Sequence, residues 1–403
     1  MTILCLASYE KGQRFLIECK RLGATVLLVT SLSLKDKAKW PLESIDEIFY
    51  MPNGVSGDAH QWDRDDLVNA ISHLGRTHVF DRIVGLDDFD VETAAMLREH
   101  MRTPGSGEST ARYYRDKLAM RVKALESGIA VPDFIHVLNY DRLREFMDRV
   151  PAPWVLKPRS MAGAIGIKKV HNAEELWRLL DELGDMQSHY LLERFVPGGI
   201  FHVDSVVFDC EIRFALASGY GRPPMEVAQK GGVFTSRVLD RKSQTARKLI
   251  AANARVMKAF GLARGVSHTE FIRAEDDGRI CFLETSSRVG GAHVSDLIEA
   301  ATGVNPWTEW ARVELAETAR DYPDPRPRED YAGLLVSLAR RQYPDLSGFA
   351  DPEVVWRMNE EYHVGLIVRS PELARVEELL AAYTERVQKD FWAYAPPKDR
   401  PSH

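Results

Sequence analysis

Two glutamates, Glu270 and Glu284, lie in β-rich segments, Gly265 to Arg273 and Arg279 to Thr285, joined by Asp276-Asp277-Gly278. A three-residue hairpin loop with Gly278 in the left-handed position pairs Glu275 with Arg279 and puts Glu270 directly opposite Glu284. Alternation along the strands adds His268, Ser286 and Arg288 to the same face. Facing carboxylates repel across a sheet, so the pairing points to a divalent cation between them. Oxygen ligands point to Mg²⁺, which typically takes one or two carboxylates together with substrate phosphates. A two-residue turn would send the glutamates to opposite faces, and a solvated face would need no metal. The spacing leaves both alternatives open.

Other residues place charge where a phosphate needs it. Lys157 ends the apolar run Trp154-Val-Leu-Lys-Pro158 and precedes a loop with Ser160, Gly163 and Gly166. Glycines let backbone N–H groups approach an anion closely, so lysine and loop suit a phosphate cradle. An edge-strand lysine before an ordinary turn has the same pattern. Lys117, in Arg115-Asp-Lys117, opens a helix, where a cation opposes the dipole unless an anion is bound. Glu193 ends Leu191-Leu192-Glu193, and the hinge-like Phe195-Val196-Pro197-Gly198 offers backbone groups suited to an adenine edge. His202 and Asp204 alternate along the next strand and suit a ribose. Each has a bland counterpart: a solvated lysine, a capping carboxylate, a satisfied histidine, a surface aspartate. There is no Walker A sequence and no strand-following Gly-x-Gly-x-x-Gly, so standard P-loop and dinucleotide sites lose support.

The elements that must position these groups fall into three units. Residues 1 to about 115 have a βαβ-like opening, with a strand from Ile3 to Ala7, a helix from Arg14 to Leu22 and a strand from Thr25 to Thr30. The acidic cluster Asp87-Asp88-Phe89-Asp90 follows a short strand, Arg82 to Gly85. The polar stretch Thr103 to Thr110 is the best linker. Residues 116 to 196 form a small lobe, with Asn172 and Glu175 as a capping-box-like helix start. Residues 197 to 403 form a larger unit, with a terminal extension from about 328 after Pro323, Pro325 and Pro327. This is a mixed α/β, α+β chain. Its 403 residues predict two or three domains, and 45% hydrophobic with 28% charged residues excludes wholesale disorder. A net charge of −6 argues against a general nucleic-acid binder. Cys5, Cys19, Cys210 and Cys281 show no CxxC pair and read as buried apolar residues of a reducing compartment. Without a basic leader or an apolar run of roughly 18 residues, no signal peptide or membrane span is expected. The expected location is the cytoplasm.

Together the motifs resemble the ATP-grasp superfamily of carboxylate–amine ligases over most of the chain. The resemblance rests on Arg115-Asp-Lys117 with Gly128-Ile-Ala-Val-Pro132, Lys157-Pro158 with its loop, Leu192-Glu193-Arg-Phe-Val-Pro-Gly198 with His202-Val-Asp204, and His268-Thr-Glu270 with Leu283-Glu284-Thr-Ser-Ser-Arg288. Arg288-Val-Gly-Gly-Ala-His293, Ala300-Ala-Thr-Gly303 and Glu361-Tyr-His-Val-Gly365 look most like the amino-acid ligase branch, with bacilysin-synthetase-like dipeptide ligases and carnosine synthase. The resemblance implies a Rossmann-like N-terminal domain, a small lid lobe and a larger ATP-grasp domain. It implies ATP and Mg²⁺ as cofactors, with two ions and Mn²⁺ as an alternative metal, and a homodimer. By the family pattern Lys117 and Lys157 contact phosphates, the 160–166 loop covers them, Glu193, Phe195 and Val196 meet adenine, and His202 and Asp204 contact ribose. Glu270, Glu284 and Ser286 hold metal, although the family has Asn at the position of Ser286. Arg288 stabilises the acyl-phosphate, and His268, Gly291 and His293 stand near substrate.

The activity implied is amide formation between small molecules, amino acids above all, through an acyl-phosphate with release of ADP and phosphate. Partners are then a small carboxylate and a small amine, with no nucleic acid or membrane. A biotin-carboxylase-like or purine-pathway ligase of the same fold is the alternative, though the chain has no Met-Lys-Met biotin-attachment site. A catalytically silent ATP-binding protein is a further one.

Overall fold

The structure, a computed structural model, describes residues 1–52 and 62–395. The last eight residues of the expected terminal extension lie outside them. The N-terminal unit is a parallel sheet of β1 (Thr2–Ala7), β2 (Thr25–Ser31), β3 (Glu47–Met51) and β4 (Arg82–Gly85), in the order β3-β2-β1-β4. Helices cover both faces, which is why β1 and β2 read as continuous Val/Leu/Ile runs. The helix Gln13–Arg21 buries Phe15, Leu16 and Cys19. The stretch expected to be a linker is packed instead. Ser106 O accepts from Arg98 Nε at 2.8 Å, and Glu108 N–H donates to Glu99 Oε1 at 2.9 Å.

The small lobe has β5 (Phe134–His136), β6 (Trp154–Pro158), β7 (Lys168–Val170) and β8 (Tyr190–Arg194), in the order β5-β8-β6-β7. The helix Ala173–Leu183 starts as its capping residues predict: Asn172 Oδ1 accepts from Glu175 N–H and Glu175 Oε2 from His171 N–H, both at 2.8 Å. The core of this lobe is drawn entirely from positions 137–192. The preceding helix, Lys117–Glu126, sends Met120 and Ala124 elsewhere, beside Phe260 and Phe282 under the large sheet.

The large sheet contains β9 (Gly198–Phe208), β10 (Glu211–Tyr220), β11 (Phe234–Val238), β12 (Gly265–Ala274), β13 (Ile280–Ser286), β14 (Tyr331–Leu338), β15 (Val354–Arg357) and β16 (His363–Ser370). Its order is β13-β12-β9-β10-β11-β14-β16-β15. The helix Gln244–Phe260 covers one face. On the other face Val206, Phe208, Leu297 and Trp310 join Phe15, Leu16 and Leu28 of the N-terminal unit in one continuous core. Cys5, Cys19 and Cys281 are buried as expected, whereas Cys210 is exposed beside a left-handed turn. Among the described residues no helix is long and apolar enough to cross a membrane.

The β12–β13 hairpin closes differently from the expectation yet reaches the same register at its centre. Ala274, not Glu275, pairs with Arg279 across the turn, so Phe271 stands opposite Phe282. A bulge then admits Leu283 as an extra residue, and Glu270 faces Glu284. The longer turn and the bulge shift the register in opposite directions and cancel.

Candidate active site

Glu270 and Glu284 stand on neighbouring strands, with His268 opposite Ser286 two positions away. Burial raises the cost of ionising Glu284, but Lys117 and then Lys157 hold its carboxyl below the usual range. Lys117 reaches Glu284 Oε2 at 2.9 Å and donates to Met161 O at 2.6 Å. It is placed there because Asp116 caps the helix, accepting from Leu118 N–H at 2.9 Å, while Arg159 pairs with the same aspartate. One oxygen of Glu284 meets Lys117 and one oxygen of Glu270 accepts the Tyr220 hydroxyl at 2.8 Å, leaving an oxygen on each for a hard cation.

Lys157 lies at the end of β6 with its ammonium 2.5 Å from Glu193 Oε1. Burial pulls its pKa down to about 8 against the opposing charge of Glu193. Arg121 completes a buried triad, its Nη2 2.9 Å from Glu193 Oε2. Despite burial, Arg121 and Lys157 hold the Glu193 carboxyl below its ordinary range. Arg121 also donates to the carbonyl of Leu283, the residue the bulge frees from the ladder. The sequence reading missed Arg121. Its position four residues after Lys117, on the same helix face, was the available signal.

Glu193 therefore points its carboxylate at two cations, which corrects its assignment to adenine by side chain. In the hinge beyond it the Phe195 N–H is already given to Pro153 O at 3.0 Å, and Lys169 lies 3.6 Å over the Phe195 ring. The adjoining loop turns through Gly163, Ala164 and Gly166, with φ of +68°, +60° and +71°. A side chain at Gly166 would meet Pro158 Cγ at 2.9 Å. The step from Ile165 to the left-handed Gly166 is the kind of turn from which an anion-binding nest is made. Ser160 contributes its carbonyl to Arg115.

His202 and Asp204 do share the glutamate face, but they lie within it. His202 is completely buried and Asp204 nearly so. His202 Nδ1 meets Asp204 Oδ2 and its Nε2 meets Ser236 Oγ, both at 2.7 Å. Asp204 Oδ1 meets His268 Nδ1 at 2.8 Å. Each of its oxygens meets a histidine, which keeps Asp204 ionised against burial, and the backbone at Gly290 packs over it and shields it from a ribose. His268, raised to about 9 by Asp204 in spite of burial, supports Glu270 from behind, 3.7 Å from Oε1. It is a support for the metal carboxylate rather than a substrate contact.

Arg288 is held by a residue from the other end of the chain. Its Nε and Nη2 lie 2.7 and 2.5 Å from Asp88 Oδ2. Burial opposes both charges, yet each keeps the other ionised: Asp88 is lowered and Arg288 raised. Ser286, beside Asp88, helps hold that carboxyl ionised. Gly290 packs over the His268–Asp204 pair, while Gly291 is exposed with open space around it. His293 stands at the N-terminus of the helix Val294–Thr302 in a left-handed conformation, 3.0 Å from Asp296 and with its ring tilted against Trp356. The acidic cluster after β4 was visible as a motif. That Asp88 would meet Arg288 had no local signal.

A small antiparallel lobe set against a large sheet, with buried lysines meeting facing carboxylates between them, is the arrangement of an ATP-grasp protein. The chain has that fold, and its likeness is to the amino-acid ligases. It is similar to the L-arginine-specific L-amino acid ligase of Bacillus subtilis, 27% identical over 242 residues, 59% of this chain and 58% of that protein. Carnosine synthase 1 of Gallus gallus is 28% identical over 202 residues, 46% of this chain and 21% of that protein. The crystal structure of L-amino acid ligase from Bacillus licheniformis superposes with a TM-score of 0.76 at 16% identity, covering 98% of each chain. The matched stretch spans about half the length of the first curated relatives. No family model matches the chain.

Proposed function

We propose that the protein is an ATP-dependent ligase that joins the carboxylate of one amino acid to the amine of another, releasing ADP and phosphate. The observation that carries this is the meeting of Lys117 with Glu284, opposite Glu270 and beside Lys157. A carboxylate is a poor acyl donor. Its oxygen attacks the γ-phosphorus, the bond to ADP breaks, and the acyl-phosphate carries the activated carbonyl. The amine nitrogen then attacks that carbon, loses a proton, and inorganic phosphate leaves with the C–O electron pair. Lys117 and Lys157 supply fixed positive charge where phosphoryl oxygens gain negative charge, and Arg288 does so for the tetrahedral oxygen. The 160–166 loop is built to cover the phosphates and exclude water, with the Phe195-Val196 backbone receiving adenine. Glu270 and Glu284 would hold Mg²⁺, which would supply charge screening for the phosphates, and two ions, or Mn²⁺, fit the same reading. We take the working form to be a cytoplasmic homodimer, a reading supported for the compartment by four free cysteines.

The test is an ADP-release screen of amino-acid pairs with hydroxylamine present. Trapped hydroxamate with ADP supports the reading; AMP and pyrophosphate would refute it. Glu284→Gln is expected to lower turnover by about 10²-fold or more while ATP still binds, measured by single-turnover kinetics and nucleotide titration.

A further inference from the structure

Behind the wall that carries Asp88 and Arg288, the N-terminal unit and the large domain border a partly open cavity of about 610 Å³. Such a volume falls in the roughly 300–1,000 Å³ range of small-molecule sites. Arg82, Arg98, Glu314 and Trp310 line it. Arg98 gives Nε to Ser106 O at 2.8 Å and Nη1 to Ile83 O at 2.7 Å. Arg82 gives Nε to Glu314 O at 2.9 Å and Nη1 to Asp81 O at 2.8 Å. Among the described residues, each guanidinium keeps its Nη2 without a hydrogen-bond acceptor. Glu314 receives the Trp310 indole N–H on Oε1 at 3.0 Å, while Oε2 has only Arg82 Nε at 3.9 Å, beyond hydrogen-bonding distance. Two cations and one carboxylate thus hold spare hydrogen-bonding capacity around one partly open space.

We propose that this cavity binds a small zwitterion, a free amino acid or a short peptide. Its carboxylate is received by the free Nη2 groups of Arg82 and Arg98, its ammonium by Glu314 Oε2, and its side chain by the Trp310 ring. Arg82 and Glu314 face each other at 3.9 Å, so the lining offers opposite charges side by side and selects for a molecule carrying both on nearby atoms. The site is separate from the glutamate face but shares its wall. Ser287, just past the end of β13, lines the cavity, while its neighbour Arg288 turns to Asp88. Gly85 and Val91, which flank the Asp88 turn, line it as well. Occupancy therefore bears on the Asp88–Arg288 pair. That consequence rests on the ligase reading; binding itself does not.

Binding is tested without ATP, by thermal shift and equilibrium dialysis on the full chain. The probes are the standard amino acids and dialanine, with propionate and propylamine carrying one charge each. At least one zwitterion is expected to raise the melting temperature of both the unmutated protein and Arg288→Met. Affinity is expected to fall about tenfold or more in Glu314→Gln, the loss typical of one charge-assisted contact. Ala263→Trp, at the exposed lip of the cavity, blocks the space without touching any charge and guards against misfolding of the first variant. Preference for dialanine over alanine assigns the site to peptides, and the reverse assigns it to free amino acids. The proposal is overturned if no zwitterion binds, if propionate binds as well as any zwitterion, or if Arg288→Met abolishes binding that Glu314→Gln and Ala263→Trp retain.

Discussion

Asp90 shows how burial sets the chemistry of single residues here. It is 2% exposed, accepts the Ser8 N–H on Oδ2 at 3.0 Å, and is pushed up to about 7 by burial first and by Asp87 second. Unfolded, the same carboxyl titrates near 3.8. A folded pKa above the unfolded one means the group favours the folded state only while protonated. Its contribution is fully present below about pH 4 and is lost as the pH rises through 7. Asp90→Asn removes this dependence. Between about pH 5 and about pH 8 the variant is expected to gain about 2 kcal/mol relative to the unmutated protein, measured by denaturant unfolding at both pH values. At this scale the facing of Glu270 and Glu284 was legible in the hairpin register, and Lys117 and Lys157 stood out because a charge opening a helix, or ending an apolar strand, conflicts with its local setting. His202 and Asp204 were misread because alternation fixes a face but does not say what covers it. Here the covering is the backbone at Gly290.

That covering governs the element scale. A Cβ at Gly290 would lie 2.8 Å from His268 Nδ1, 3.0 Å from Val294 Cγ1 and 3.1 Å from Asp204 Oδ1. The loop carrying Arg288 can therefore approach β9 and β12 only without a side chain at this point. Gly290→Ala is expected to cost about 1–3 kcal/mol by overpacking, while Gly291→Ala, with nothing within 4 Å, is expected to be neutral. Paired chemical denaturation of the two variants checks this, and equal losses would contradict it. The hairpin teaches a complementary lesson. Turn chemistry suggested three loop residues, while the chain uses a wider closure and a bulge. Bulges leave little trace in sequence, since one inserted residue need not break an apolar run such as Cys281-Phe-Leu283. The bulge also turns out to be useful, because it releases the Leu283 carbonyl to Arg121 and ties the carboxylate strand to the helix that Lys117 opens.

At the scale of the whole molecule, the βαβ opening and the strand-rich second half were readable from periodicity. How the units share cores was not. Asp88 and Arg288 are separated by 200 positions, and the N-terminal unit merges its core with that of the large sheet. Such contacts depend on docking, which local pattern does not encode. The small lobe is different, for its apolar interior is complete within positions 137–192. A part with its own core opens and closes its hydrogen bonds as a separate cooperative unit. In native-state hydrogen exchange, amides of β6 and β8 are expected to share one opening free energy. That value should lie below the one common to β1 and β9, which belong to fused layers. Identical values across all four strands would contradict this. We take the chain to work as two bodies: a bed in which the N-terminal unit and the large sheet share one core, and a jaw expected to swing without its own interior being opened.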